Sequence, residues 1–405
     1  MTEGTGRYYD RHEGPYYDPY DTVIDTDPYP TWKRLRDEAP VYHNKRYGFY
    51  ALSRHADVQA ALSDPRTYRS GYGNVLELMG DQPLDVPYLV MQDPPRHDTQ
   101  RALVSRAFTP RRVSVLADRI RELCAELLDP QIGGTGFDYL QDFAAQLPSR
   151  VISELIGVAP EDREDIRKTI DKTLHIEPGV GIINEVAMAA RSRIHDYLTE
   201  QIDARRTAPR DDLMTALVEA ELDTEQGVRR LSTEEAAAFA AELIGAGTET
   251  VARLLGWVCI LLDAAPDQRA LVAADLSLVP NTVEETLRYE APSPVQCRRL
   301  VNDVELHGIT IPMGSKVLLL TASAGHDERK YEDPDRFDIL RHIDGHVSFG
   351  HGIHFCIGAA LARLETRIAL EETLRRFPTW EVDHANAERL HTSTVRGYLK
   401  VPLAV

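Results

Sequence analysis

Apolar residues recur at three- to four-residue spacing, with charges on the opposite face, through "ADVQAALSD", "RALVSRAF", "SVLADRIRELCAELLD", "DYLQDFAAQLPSRVISELIG", "EVAMAARSRIHDYLTEQIDARR" and "DDLMTALVEAEL". That period predicts amphipathic helices through the middle of the chain. An apolar helix is expected from about Glu234 to Leu262, and a long amphipathic one from Ile357 to Phe377. Strands are predicted in fewer places: "YGFYALS" near the start, and "VELHGITIPMGSKVLLLT", where His307-Gly308 and Pro312-Met313-Gly314 punctuate β-rich runs into a meander. The terminal "TVRGYLKVPLAV" reads as a last hairpin. The expected class is mainly α with a small β region (α+β), that region being drawn from about 40–55, 292–325 and 380–405. No linker, low-complexity tract or solenoid-period repeat divides the sequence, so residues 1–405 are expected to form a single domain.

Charge and cysteine usage narrow the possibilities. A formal net charge of −18 argues against nucleic acid or an anionic membrane as the main partner, because phosphate binding needs a basic surface. The strongest apolar run, "LLGWVCILL", is too short to span a bilayer, so no stable membrane insertion is expected. "MTEGTGRYYDRHEGPYYDP" lacks the apolar core of a secretion signal, and the four cysteines contain no C-x-x-C. A cytoplasmic protein with reduced thiols is the expectation.

One cysteine stands apart. In "FGHGIHFCIGAALARLE", Cys356 sits among Gly350, Gly352 and Gly358, directly before the Ile357–Phe377 helix. Unpaired N–H groups and the positive end of a helix dipole lower a thiol's pKa at such a position and favour a thiolate. The glycines let backbone amides point at the sulfur and a flat ligand approach. A thiolate so placed serves as a nucleophile, with His351 or His354 as base, or as a metal ligand; the nucleophile reading leaves the rest of the chain's motifs unexplained.

Phe349-x-x-Gly352-x-His354-x-Cys356-x-Gly358 resembles the haem-binding loop of the cytochrome P-450 superfamily, in which the cysteine thiolate is the axial iron ligand. The resemblance implies haem b, with Cys356 on the iron and Phe349, Gly350 and Gly358 around it. Three further motifs follow the family's order. In "LIGAGTETVARLL", Gly245 and Gly247 alone would read as a helix break or a close helix crossing. With Glu249-Thr250 beside them, the run resembles the family's distal-helix signature: Ala246 and Gly247 open the helix over the iron, and the acid–alcohol pair Glu249 and Thr250 manages protons in a site that excludes water. Glu285-x-x-Arg288 resembles the family's structural ion pair, whose third member would be Arg336 in "DPDRF". His97 and Arg101, on one face of a helix after Pro94-Pro95, parallel the family's donors to the haem propionates, joined by Arg298 and His354. Arg299 directly follows Arg298; alignment to the following "DVEL" favours Arg298.

By resemblance, the fold expected is the family's triangular-prism helical domain enclosing haem b. The activity expected is a monooxygenase that uses O2 to hydroxylate or epoxidise a medium-sized apolar molecule of terpenoid, steroid, fatty acid or polyketide type. Electrons would come from ferredoxin and an NAD(P)H-dependent ferredoxin reductase, docking on a basic patch at Arg106, Arg111, Arg112 and Arg363. The family's geometry assigns Val75, Leu76, Met79, Leu89 and Val90 to a distal wall; Leu243, Ile244, Ala246, Gly247 and Thr250 to the helix side; and Val295, Thr394 and Val395 to the far side. "LHIEPGVGIINEV" would cover the entrance. A monomer is expected. A peroxide-dependent or redox-neutral haem–thiolate enzyme is the alternative, and a non-catalytic gas-binding haem protein a lower one.

Overall fold

Helix-forming sequence dominates the middle of the chain, and the computed structural model, which describes residues 14–105, 108–173, 183–224 and 227–405, is correspondingly built around one long central helix. The main helices in chain order are α1 (Tyr29–Glu38), α2 (His55–Ser63), α3 (Arg96–Ser105), α4 (Ala117–Leu128), α5 (Gln146–Ile156), α6 (Arg163–Thr173), α7 (Glu185–Thr207), α8 (Thr233–Ala264), α9 (Val279–Tyr289) and α10 (Ala359–Arg376), with a nine-residue helix at Pro266–Ala274 and shorter helical turns between them. A capping box starts α8: Ser232 accepts the Glu235 N–H, and the Glu235 carboxylate accepts the Ser232 N–H. By length and composition α8 is apolar enough to cross a membrane, but 78% of that stretch is buried inside the protein, which makes it a core helix. It packs against α5, α7 and α10, and its Phe239, Leu254, Leu255 and Val258 join the largest apolar cluster.

The strands β1 (Val41–Asn44), β2 (Phe49–Leu52), β3 (Tyr68–Arg69), β4 (Gln296–Leu300) and β5 (Lys316–Leu319) form one sheet in the order β1-β2-β5-β4-β3. Here the structure departs from the expected meander. Val304–Leu306 and Ile309–Ile311 form a separate hairpin, turning at His307 and Gly308 with φ of 52° and 75°. β5 instead inserts between β2 (parallel) and β4 (antiparallel), because Val317, Leu318 and Leu319 are apolar on both faces and all three become buried. The C-terminal stretch is likewise not a hairpin with itself. β7 (Arg396–Lys400) pairs with β6 (Glu388–His391), fully buried Val401 turns the chain, and Pro402–Ala404 lies between Glu381–Val382 and Gly136–Asp138. The helix expected over "DDLMTALVEAEL" stops at Glu219, and Glu221–Thr224 pairs with Gly227–Arg230.

Candidate functional site

The cysteine loop is a folded backbone rather than a frayed helix end. Gly350 N–H donates to the Val347 carbonyl (2.9 Å), Cys356 N–H to Phe349 (2.8 Å) and Phe355 N–H to Gly352 (3.1 Å). Gly352 has φ of 69°, and an added Cβ would meet the Leu62 carbonyl oxygen at 2.7 Å, so the end of α2 dictates glycine there. Phe349 lies under the Arg363 guanidinium, 4.5 Å from its ring centre, and Arg363 in turn pairs with Glu284 (2.6 Å).

Cys124, Cys259 and Cys297 are buried, whereas Cys356 is exposed to a cavity. The expected lowering of its pKa by the helix N-terminus is not what the structure gives. Helix α10 begins at Ala359, so the sulfur stands just outside the first turn, and desolvation pushes the thiol up against the opposing pull of the Gly358 N–H, Arg101 and Arg363. A thiol in such surroundings ionises when a metal cation binds it.

Around the same cavity the structure gathers cationic and imidazole groups, and the carboxylate that reaches them is Asp98, 2.9 Å from His97 Nδ1. Arg298 is 3% exposed, and its hydrogen bond among the described residues goes to the Cys297 carbonyl (2.8 Å); burial pulls its pKa down to about 10. Arg101 reaches from α3 to the Phe355 carbonyl (2.5 Å) and is likewise lowered by burial. The rings of His97 and His354 lie 4.4 Å apart, and the Nε2 atom of each is buried without a partner. Desolvation first, then Arg298, His97 and Arg101, drive His354 down to about 2. Two imidazoles with unpartnered nitrogens beside two arginines that no carboxylate pairs among the described residues call for a buried anion. A haem, with two propionates and an iron, satisfies both the cluster and Cys356, so the residues fit that group. Arg299 diverges from its neighbour: it bonds the Gly80 carbonyl (3.0 Å) and Asp81 (2.9 Å), leaving Arg298 as the inward-facing arginine.

On α8, Leu243, Ala246 and Thr250 share the cavity-facing side, as their three- and four-residue spacing requires, and each remains at least partly accessible. Thr250 donates its hydroxyl to the Ala246 carbonyl (2.9 Å). One sequence assignment is corrected here: Ile244 is fully buried in the main core, on the opposite side of the helix. Gly247 is partly accessible and also lies at a helix crossing, since an added Cβ would come within 3.1 Å of Ile152 Cγ1 on α5. Glu249 is 5% exposed and paired with Arg253 (2.6 Å), whose other nitrogen reaches the Tyr398 carbonyl. It also neighbours Asp171 of α6; burial, then Glu249, lift Asp171 to about 6, while Arg167 and Arg253 oppose. Sequence reasoning missed Asp171 and Arg253; only Arg253, four residues after Glu249, left a signal in the pattern.

The ion-pair trio also needs correction. Glu285 and Arg288 are both fully buried and bonded at 2.7 Å, but the third member is Arg341, 3.3 Å from Glu285. Arg336 is 67% exposed and pairs with Asp338, contributing only its carbonyl to Arg288. Its side chain cannot reach because Asp338, two residues on, captures it and donates its own N–H to Glu285.

Val75, Leu76, Val295 and Thr394 line one cleft with Asn74 and Ser393. Met79 is buried in the same apolar cluster as Leu76 and Val295, Leu89 belongs to the main core, and Val90 is partly exposed. Val395 sits in the turn between β6 and β7, its N–H bonded to the Thr392 hydroxyl (2.8 Å). Arg106 and residues 174–182 of the expected entrance cover lie outside the described residues.

Comparison with known proteins agrees with this geometry. The cytochrome P450 family model matches residues 43–403. A putative cytochrome P450 123 from Mycobacterium tuberculosis is 42% identical over 391 residues, 96% of each chain. The vitamin D(3) 25-hydroxylase of Pseudonocardia autotrophica is 36% identical, covering 93% of this chain and 94% of its own. Among solved structures, a mutant of P450 EryK in complex with erythromycin B superposes with a TM-score of 0.87 at 34% identity, covering 96% of this chain and 98% of that one. With the cysteine loop, the cation cluster and these likenesses together, the chain belongs to the cytochrome P450 family and is a haem-b monooxygenase.

Proposed function

We propose that this enzyme hydroxylates a medium-sized apolar molecule, with Cys356 on the haem iron, His97, Arg101, Arg298 and His354 on the propionates, and Phe349, Gly350 and Gly358 shaping the loop beneath. The observation that carries the assignment is the cluster of Arg298, Arg101, His97 and His354, with both arginines unpaired by carboxylates among the described residues and both imidazoles holding an unpartnered nitrogen, beside an accessible cysteine. When bound, the haem supplies O2 activation assisted by the electron-rich thiolate. The chain's own residues then exclude water, orient the substrate and move protons. Glu249 and Thr250 lie one position apart on α8. Buried Glu249 neighbours Asp171, a side chain 43% exposed at the surface. The acid–alcohol pair favours an O2-dependent reaction over a peroxide-dependent or redox-neutral one, which has less use for proton delivery.

The substrate wall comprises Val75, Leu76, Met79, Leu89 and Val90 with Leu243 and Ala246 opposite, and Val295, Thr394 and Val395 at the side. Its apolar lining suits polycyclic or polyketide-like molecules, a class to which the names of the vitamin D(3) hydroxylase and the erythromycin B complex also point. Electrons arrive from a ferredoxin on the cysteine side, where a cleft of about 560 Å³ is lined by Val113, Glu284, Arg363 and Arg367, with exposed Arg111 and Arg112 on the preceding short helix. The chain works as one haem domain and as a monomer in this reading.

The carbon monoxide difference spectrum of the dithionite-reduced protein, beside Cys356→Ser, tests the central assignment. A red-shifted Soret band that the variant loses is expected. An imidazole-type band indifferent to the substitution would overturn it.

A further inference from the structure

Two carboxylates fasten the loop that carries the proposed distal wall. At its base, Asp93 accepts the Ser70 N–H on Oδ1 (3.0 Å) and the Gly71 N–H on Oδ2 (3.0 Å). An added Cβ at Gly71 would sit 2.7 Å from that Oδ2, so glycine is required beside the clamp. At the other end Glu242 repeats the arrangement from α8: Oε2 accepts the Leu89 N–H (2.7 Å) and Oε1 the Val90 N–H (2.9 Å). Inside the loop, Leu84 N–H donates to Gly71 (2.7 Å) and Gly80 N–H to Tyr72 (3.0 Å), while Arg299 of β4 holds the tip at Gly80 and Asp81. Among the described residues, the two Glu242 bonds are the only hydrogen bonds between residues 71–91 and α8. Glu242 stands one helical turn before Ala246 and two before Thr250, hence on the cavity-facing side of the helix.

We propose that Glu242 is a positioning residue for substrate selection: a two-pronged latch that sets how residues 72–90 lie against α8 and thereby controls the entry of bulky ligands to the haem. The inference rests on reading that cavity as the haem site. Both oxygens are engaged by consecutive amides, so the carboxylate plane and the loop's approach are fixed together. A glutamine offers one acceptor and turns an N–H₂ donor against the second backbone N–H, which replaces one attraction by a repulsion. The loop is then held at its base and tip but free at the edge that meets the distal helix.

The test uses the haem-loaded full-length protein, wild type and Glu242→Gln, with imidazole as the small probe and 4-phenylimidazole as the bulky one, followed by the Soret shift in stopped flow. Association and dissociation of 4-phenylimidazole are expected to quicken about tenfold, the scale of losing one hydrogen bond to a charged group, while imidazole changes by less than about twofold. Hydrogen–deuterium exchange should show lost protection at Leu89 and Val90 and unchanged protection across α3. Glu242→Asp, which keeps the charge and both acceptors, should lie between wild type and Glu242→Gln, and decides the matter should Glu242→Gln not retain haem. Equal acceleration of both probes, or unchanged exchange at Leu89 and Val90, would overturn the latch. Failure of the haem reading is distinct: it shows as absence of the thiolate band in the wild type itself.

Discussion

Arg298 is a liability that only a ligand removes. Its guanidinium is 3% exposed and unpaired by any protein carboxylate among the described residues, a situation costing several kcal/mol in an otherwise apolar setting. Arg298→Leu is therefore expected to raise the melting temperature of the haem-free protein and to lower that of the haem-loaded one. Loss of a buried charge partner is worth about 3 kcal/mol, so haem transfer to an acceptor globin should speed up by about a hundredfold. A substitution that destabilised both forms equally would make Arg298 a plain structural residue. Glu365 of α10 shows the opposite kind of strain: it is fully enclosed, its Oε2 has no partner, and burial lifts it to about 8. Since the fold holds that proton more tightly than the unfolded chain does, stability is greatest below the ordinary carboxylate range and falls as pH rises towards 8. Each tenfold difference in proton affinity is worth about 1.4 kcal/mol. Glu365→Gln should leave the melting temperature unchanged near pH 4 and raise it progressively up to pH 8. Cys356, His97, Arg101, Arg298 and His354 were legible in the sequence because they sit in spaced motifs. Arg341 was not, since a partner chosen by loop path leaves no period, and Arg336 stood nearer the familiar pattern.

Helices were readable for a different reason: most expose one face, so charge and apolar positions alternate with the helical period, and α4 and α5 follow it closely. The interior of α8 obeys another rule. Gly247, read from the sequence as an opening over the haem, also stands against Ile152 of α5. Gly247→Ala gains about 1 kcal/mol of helix propensity but forces a methyl into a filled interface, at a cost of about 1–3 kcal/mol. The net expectation is modest destabilisation, relieved in Gly247→Ala/Ile152→Ala. Thermal unfolding of the four proteins measures the coupling, and strict additivity would show that the crossing is not tight. Strand order escaped the sequence altogether, because β2 and β5 are short runs, largely apolar, whose partners are chosen by tertiary fit.

At the scale of the whole molecule, a net charge of −18 coexists with a pair of adjacent exposed arginines. Arg111 and Arg112 are exposed and make no ion pair among the described residues, whereas Arg363 is already engaged by Glu284 and Phe349. Arg111→Glu/Arg112→Glu should raise the KM for an acidic ferredoxin about tenfold at low salt, with the gap closing as ionic strength rises, and leave substrate-induced spectral shifts intact. Loss of both would indict the fold rather than the docking face.

The parallel register of β2 with β5 joins residues about 270 positions apart. At the usual pace of roughly 5–20 residues per second, a ribosome needs about 15–50 s to supply the second strand after the first. During that interval Phe49–Leu52 carries an open hydrogen-bonding edge and apolar side chains with nothing to cover them. The cysteine loop emerges later still. Production in a host is thus expected to respond to what shelters an early strand until the last quarter of the chain arrives, so added holdase capacity during synthesis should raise the yield of folded enzyme.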